Sequence, residues 1–324
     1  MKVCIYGAGA IGGWIGSGLA RAGCSVSVVA RGATLDALQL HGLRLQQNGR
    51  VTSQAVASSA SPAEFSVQDL VVLAVKAPSL PEVVQQIAPL LGPTTLVMTA
   101  MNGVPWWFLQ GFGGALADQR LISVDPDGEL ARAIPAAQII GCVVHASCSQ
   151  EEPGLVQHHF GNTLILGEPS GGKTARVQQL ASLLEKAGFE VPVSDQIQKD
   201  IWFKLWGNMT VNPISALTGA TTDLIMADEL VRGFISSVML EAKEIGARIG
   251  IRIDQRPEDR HQITLKLGAF KTSMLQDVEA GKALELDALV AAVRELGQLT
   301  GAATPFTDAL LGLARLKAQV HGLY

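Results

Sequence analysis

The sequence predicts an α/β fold: a doubly wound parallel sheet first, then an all-α second domain. Three observations carry that prediction. Short apolar, β-prone runs alternate with helical periods over residues 1–110; a glycine-rich turn joins the first run to the first helix; and from Ser194 the periodicity is helical almost to the end. In such a sheet the strands run parallel and ligands sit beyond their carboxyl ends. Residues 1–193 are therefore expected to form the sheet domain and 194–324 the helical one, with the cleft between them as the default site.

Residues 2–6 read as a short buried strand that runs into Gly7, Ala8, Gly9, Ala10, Ile11 and Gly12, and residues 14–22 continue at helical spacing. Strand, G-x-G-x-x-G and helix in that order form the dinucleotide-binding fingerprint of a Rossmann-type domain. Gly7 permits the tight turn, Gly9 lets a pyrophosphate approach, and Gly12 lets helix and strand touch. The helix N-terminus then offers unpaired N–H groups and partial positive charge to the phosphates. With 34 glycines in the chain the motif alone is weak, and its place between strand and helix gives it weight. A second apolar run, residues 25–30, ends at Arg31. An NAD-preferring site carries Asp or Glu here for the ribose 2′-hydroxyl, whereas Arg offers a bidentate charge to a 2′-phosphate, so the cofactor read here is NADP(H). The plain alternative is a solvated Arg at a strand end.

A helix to about residue 40 follows, then two alternating runs around Asn48 and Gly49, a hairpin signal. Residues 70–75 form an unbroken apolar strand that ends at Lys76. Residues 79–91 are expected as a helix with Ser79 as N-cap, and 94–100 as a strand that ends at Asn102. Gly7, Arg31, Lys76 and Asn102 thus fall at four strand ends that converge on one crevice. Lys76 suits a cofactor phosphate or a substrate carboxylate, and Asn102 a nicotinamide ribose or the substrate. A solvated Lys and a turn-forming Asn-Gly are the bland alternatives. Runs at 139–146, 155–160 and 164–167 look antiparallel, with a turn expected at Gly161 and Asn162. A helix over 173–188 and a last strand at 191–193 close the domain. His158 and His159 are adjacent, so in a strand they face opposite ways, and no metal is expected.

The chain is 48% hydrophobic and 17% charged, the balance of a compact protein and not of a disordered one. A net charge of −4 gives no basic surface for nucleic acid. No run approaches ~18 uncharged apolar residues, so no membrane span is expected. Cys4, Cys24, Cys142 and Cys148 follow no disulfide or metal spacing, and the early glycines make a poor signal-peptide core. The expected compartment is the cytoplasm.

Residues 195–212 read as a helix that Pro213 stops. At 100° per residue Trp202, Leu205, Trp206 and Met209 share one side. With Lys204 as zero, Asn208 lies ~40° round and Asn212 ~80° round, so the three form a polar stripe. A solvated face is the ordinary explanation, but two Asn and Gly207 weaken a helix. An ammonium flanked by amides instead suits an α-keto acid, whose developing alkoxide it can protonate. Further on, Ser273 followed by Gln276 fits a capping box, a purely structural job that competes with substrate binding. Glu285, just before another helix, has helix-dipole support as its simple role.

Together these residues resemble the ketopantoate reductases (2-dehydropantoate 2-reductases) over essentially the full chain. The resemblance is carried by GAGAIG at 7–12, Arg31, VKAP at 75–78, MNGV at 101–104, KLWGNMTVNPISAL at 204–217 and SMLQDVEAGKALELD at 273–287. It implies NADPH-dependent reduction of 2-dehydropantoate to pantoate, in the coenzyme A pathway, by a Rossmann domain joined to a helical one. It also implies that Lys204 is the general acid and that Glu285 meets the substrate hydroxyl. Asn208, Asn212 and Ser273 would be substrate ligands, and Asn102 and Lys76 would line the join of cofactor and substrate. Two departures bear on the substrate: Thr222 stands where members of the family carry a further Asn, and Trp106 and Trp107 follow the Asn102-Gly103 turn. Another branched 2-keto acid is the alternative substrate. A non-catalytic NADP(H) sensor is the alternative class, against which intact Lys204 and Glu285 argue. Long amphipathic segments in the helical domain allow a homodimer, and packing within the chain explains them equally well.

Overall fold

A computed structural model describes all 324 residues. They form two compact units, Met1–Met101 with Gly128–Asp200, and Asn102–Asp127 with Ile201–Tyr324. The division is not a single cut. The chain leaves the first unit after the strand at Leu96–Thr99, contributes 26 residues (102 to 127) to the second, and returns.

The first unit holds one nine-stranded sheet. Its strands are β1 (Lys2–Tyr6), β2 (Ser25–Val29), β3 (Leu43–Gln47), β4 (Arg50–Gln54), β5 (Ala57–Ser59), β6 (Leu70–Leu73), β7 (Leu96–Thr99), β8 (Ile139–Glu152) and β9 (Leu155–Gly167), in the order β4-β3-β9-β8-β7-β6-β1-β2-β5. From β7 to β5 every pairing is parallel, as the alternation of strands and helices requires. The far side is mixed, because β8 and β9 pair antiparallel and β3 adds to β9 with its hairpin partner β4 at the edge. Asn48 and Gly49 make that hairpin turn with φ of 51° and 74°, the left-handed pair that fits twisted strands. Helices α1 (Ala10–Arg21), α2 (Gly32–His41), α3 (Leu80–Gln86), α4 (Glu129–Ala133) and α5 (Ala175–Lys186) belong to this unit. α1 buries Trp14, Ile15 and Leu19, and the Trp14 ring stacks on His158 at 5.6 Å.

Several local expectations are overturned. Gly161 and Asn162 do not turn the chain: β9 runs through them, and the register slip opposite Ala146 makes them a bulge, with the reversal at Gly154 instead. Ser79 does hold the N-cap position of α3 but its side chain makes no cap hydrogen bond; Pro78, Pro81 and Pro89 break 77–90 into two 3₁₀ turns flanking the short α3. Residues 191–193 form only an isolated bridge, Leu166 to Val193.

The second unit is helical: α6 (Ile197–Thr218, whose residues from Ile201 on belong to this unit), α7 (Thr222–Ala227), α8 (Glu229–Arg248), α9 (Pro257–Leu265), α10 (Ser273–Glu279), α11 (Ala292–Thr300, entered through one π turn at Asp287–Ala291) and α12 (Pro305–Val320). Pro213 does not end α6, which continues to Thr218. The missing N–H costs one helical bond, and burial of Met209, Ile214 and Ala216 on both sides of it offsets that loss. Trp202 and Trp206 are buried as expected, and their indole N–H groups donate to the carbonyls of Ala242 (3.2 Å) and Met239 (2.7 Å) on α8. The excursion of residues 102–127 is tied down by Glu295 on α11, which accepts from Ile122 N (2.7 Å) and Ser123 N (2.8 Å). No helix is long and apolar enough to cross a membrane.

One buried ion pair fastens α5 to the sheet. The Glu168 carboxylate, only 2% exposed, accepts from Arg176 Nε at 2.8 Å and from Arg176 Nη2 and Thr174 Oγ1. Burial alone raises the Glu168 pKa, but the hydrogen bonds from Arg176 and Thr174, with the Arg176 charge, outweigh it and hold the group below its ordinary 4.5. A carboxyl lowered on folding stabilises above its unfolded pKa and stops doing so as the pH falls through the folded value. Arg176→Met leaves that carboxylate without its cation and should cost about 3–5 kcal/mol at pH 7. Denaturant unfolding at pH 7 and pH 4 measures it: the gap to the wild type is expected to narrow at pH 4, and equal stability at pH 7 would refute this role for the pair.

Candidate active site

The glycine turn has the geometry its sequence demands. Gly7 sits at φ +97°, where only glycine is relaxed, and a Cβ there would meet Val75 Cγ1 at 2.7 Å. A Cβ on Gly12 would lie 1.9 Å from the Gly7 carbonyl oxygen, so helix and turn touch backbone to backbone. Gly9 is different: no atom lies within 4 Å of its missing Cβ, and as N-cap of α1 it brings no side chain to the free N–H groups of the first turn. An open, positively polarised helix end beside an empty-sided glycine fits a pyrophosphate.

Above this turn lies a groove of about 320 Å³, lined among others by Tyr6, Gly7 to Gly9, Arg31 and Glu82. That volume is within the range of small-molecule sites. Gln150 on β8 caps it on one side, donating to the Ala8 carbonyl at 3.1 Å. Tyr6 stays a neutral phenol, pushed up to about 12 by burial first and then by the charges of Glu82 and Cys4, against a smaller opposing pull from Arg31. Of the residues expected to converge here, Gly7, Ala8, Gly9 and Arg31 do line the groove. Ala10 and Ile11 open α1 behind it, and Gly12 is buried against Gly7. Lys76 is half-buried just beyond the lining residue Val75. Asn102 lies three residues past the end of β7 and is the first residue of the second unit.

In the second unit the polar stripe of α6 is real. Lys204 Nζ donates to Asn102 Oδ1 at 2.8 Å, which orients the ammonium. Asn208 is half-buried and Asn212 only 8% exposed, yet neither carboxamide finds a hydrogen-bond partner in the protein. Their polar atoms are not sealed from solvent, so both amides are open to a ligand that enters from the polar side of α6. The turn after Asn102 packs on the segment carrying Glu285: Val104 N donates to the Ala288 carbonyl at 2.8 Å, and a Cβ on Gly103 would meet that oxygen at 2.6 Å. Glu285, 8% exposed, lies one turn before Ala288.

One structural explanation from the sequence changes here. Ser273 does not cap α10, because Thr272 does, accepting from Leu275 N at 3.2 Å; the Ser273 hydroxyl is exposed and free. Thr222 is fully committed, donating to the Gly268 carbonyl at 2.7 Å and accepting from Phe270 N at 3.3 Å. Sequence reasoning also missed Arg260 of α9. Its guanidinium lies 5.5 Å from the centre of the Phe203 ring and against Gly207, where a Cβ would meet Nε at 2.6 Å; burial lowers its pKa. Only the glycine inside α6 hinted at a close neighbour.

A dinucleotide-type groove in one unit and a lysine-centred polar stripe in the other define an oxidoreductase. Comparison with known proteins names its family. Residues 3–171 match the family model for ketopantoate reductase PanE/ApbA, and residues 196–318 match its C-terminal domain model. The chain is 48% identical over 325 aligned positions to the 2-dehydropantoate 2-reductase of Mesorhizobium japonicum, covering 100% of both chains. It superposes with a TM-score of 0.96 on a crystal structure of a candidate ketopantoate reductase from Ralstonia solanacearum MolK2, at 54% identity and covering 100% and 99% of the two chains. A second crystal structure, 2-dehydropantoate 2-reductase from Geobacter metallireducens GS-15, superposes at 0.86 with 26% identity over 98% of this chain and 100% of that one. The chain belongs to the ketopantoate reductase PanE/ApbA family.

The glycines make a paired test. Gly9→Ala meets no neighbour and has φ −72°, so it should melt within ~2 °C of the wild type while binding NADPH at least ~10-fold more weakly. Gly12→Ala should not fold stably. Thermal melts and a nucleotide-fluorescence titration read both, and unaltered NADPH binding by Gly9→Ala would remove the turn as the phosphate cradle.

Proposed function

We propose that this protein reduces 2-dehydropantoate to pantoate with NADPH, a step of pantothenate and coenzyme A biosynthesis in the cytoplasm. The observation that carries the reading is the Lys204 ammonium, held by Asn102 on a stripe with two open carboxamides. The full-length match to a 2-dehydropantoate 2-reductase supports the substrate, and Arg31 at the end of β2 supports the 2′-phosphate.

When bound, the dinucleotide supplies the hydride. The chain's own residues do the rest. Asn208, Asn212 and Ser273 present donors and acceptors to the keto acid and its hydroxyl, and Glu285 accepts from that hydroxyl. As the keto carbon gains its hydrogen, the C=O π pair moves onto oxygen. Lys204 gives that oxygen a proton, becomes a neutral amine, and is reprotonated from solvent. Asn102 Oδ1 aims the ammonium, so stabilisation is greatest where charge develops. Lys76 lies beyond the groove and serves cofactor phosphate or substrate carboxylate.

The commitment of Thr222 to the Gly268–Phe270 backbone favours a second reading in which another branched 2-keto acid is the better substrate. For assembly we infer a homodimer through the helical unit, where Leu313, Leu316 and Val320 form an exposed apolar row along α12.

Following NADPH absorbance with 2-dehydropantoate beside a panel of 2-keto acids tests the substrate. A kcat/KM above ~10⁴ M⁻¹s⁻¹ for 2-dehydropantoate is expected; a better panel substrate would move the reading to that acid. Lys204→Ala should lose at least ~100-fold in kcat with NADPH affinity little changed. Activity near wild type would dismiss Lys204 as the acid.

A further inference from the structure

Arg31, the expected ligand of a 2′-phosphate, is not a bare cation. Its Nη1 donates to both oxygens of Glu82, at 2.6 and 2.5 Å. Glu82 comes from the first turn of α3, 51 residues further along the chain. Both side chains are open to solvent, 64% and 46% exposed, so the pair contributes little to stability. Its position gives it another meaning. Both residues line the groove beside Gly7 to Gly9, and the charge of Glu82 reaches the Tyr6 phenol in the same lining.

Dinucleotide sites of this design choose between two devices: a carboxylate that accepts from the ribose 2′-hydroxyl, or a guanidinium that binds the 2′-phosphate. This groove holds both, in contact with each other. We infer that Glu82 determines cofactor specificity, letting the site take NADH as well as NADPH. The inference rests on the dinucleotide reading above. With NADH, the 2′-hydroxyl donates to the Glu82 carboxylate, which Arg31 holds in place. With NADPH, the phosphate uses the guanidinium N–H groups that Glu82 leaves free, since Nη1 is the only one the pair engages. The phosphate then sits near a second anion. A dianion and a carboxylate ~5 Å apart in a water-like dielectric repel by about tenfold in affinity, and salt screens the repulsion.

The test is a fluorescence titration of the full chain with NADPH and with NADH at low and high salt, each variant being checked by a melt. The wild type should bind both, with dissociation constants within ~30-fold. Glu82→Gln should tighten NADPH and weaken NADH, raising the ratio of their dissociation constants at least ~10-fold, with a smaller rise at high salt. Glu82→Asp, which keeps the charge, should stay near the wild-type ratio, and Arg31→Gln should shift it toward NADH. If both nucleotides bind and Glu82→Gln leaves the ratio within twofold, the inference falls and the dinucleotide reading stands. If neither nucleotide binds the wild type, that reading falls and takes the inference with it.

Discussion

The first unit hangs on a contact that no side chain could make. The carbonyl of Gly7 occupies the space where residue 12 would carry a Cβ, so β1 and α1 meet backbone to backbone. That approach sets where α1 begins, and therefore where its free N–H groups point. It also lets Trp14, one turn further on, lie flat on His158 of β9. The hairpin arm of the sheet is thereby packed against the helix that cradles phosphate, and the binding turn gains a rigid backing.

α6 makes the opposite bargain. It carries Gly207, Pro213 and two asparagines, residues that weaken a free helix. Packing supplies what propensity lacks. Two indoles buried against α8 donate to carbonyls already inside that helix, and Met209, Ile214 and Ala216 close the rest. A helix held this firmly from one side can present solvent-reached amides on the other. The glycine in the same turn admits the Arg260 guanidinium to the helix surface, placing a second cation beside the lysine-bearing segment.

What was legible in the sequence was local. β1, β2 and the Asn48-Gly49 hairpin follow from apolar runs and turn chemistry within a few residues, and the α6 stripe follows from one angle. What was not legible depended on partners far along the chain. Pro213 ends an isolated helix, but two buried halves carry α6 across it. Gly161 signals a turn, but β8 pairs straight past it with a bulge. Ser79 holds its cap position without a side-chain bond, inside a proline-broken turn, and Thr272 takes the cap that Ser273 has the right type for. Glu82 was invisible beside Arg31 for the same reason: nothing local to a strand end says which carboxylate a distant helix will bring.

The excursion of residues 102–127 affects how the molecule is made. Asn102, which orients Lys204, is synthesised a hundred residues before the lysine it serves, and Glu295, which anchors the same loop, comes later still. A nascent chain that has completed the sheet still holds a 26-residue stretch with no core to join. That stretch has to wait, its tryptophans and leucines unburied, until the helices emerge. For the same reason no single cleavage separates the two units: a cut after residue 193 would strand the loop on the wrong fragment and leave the helical one without its asparagine.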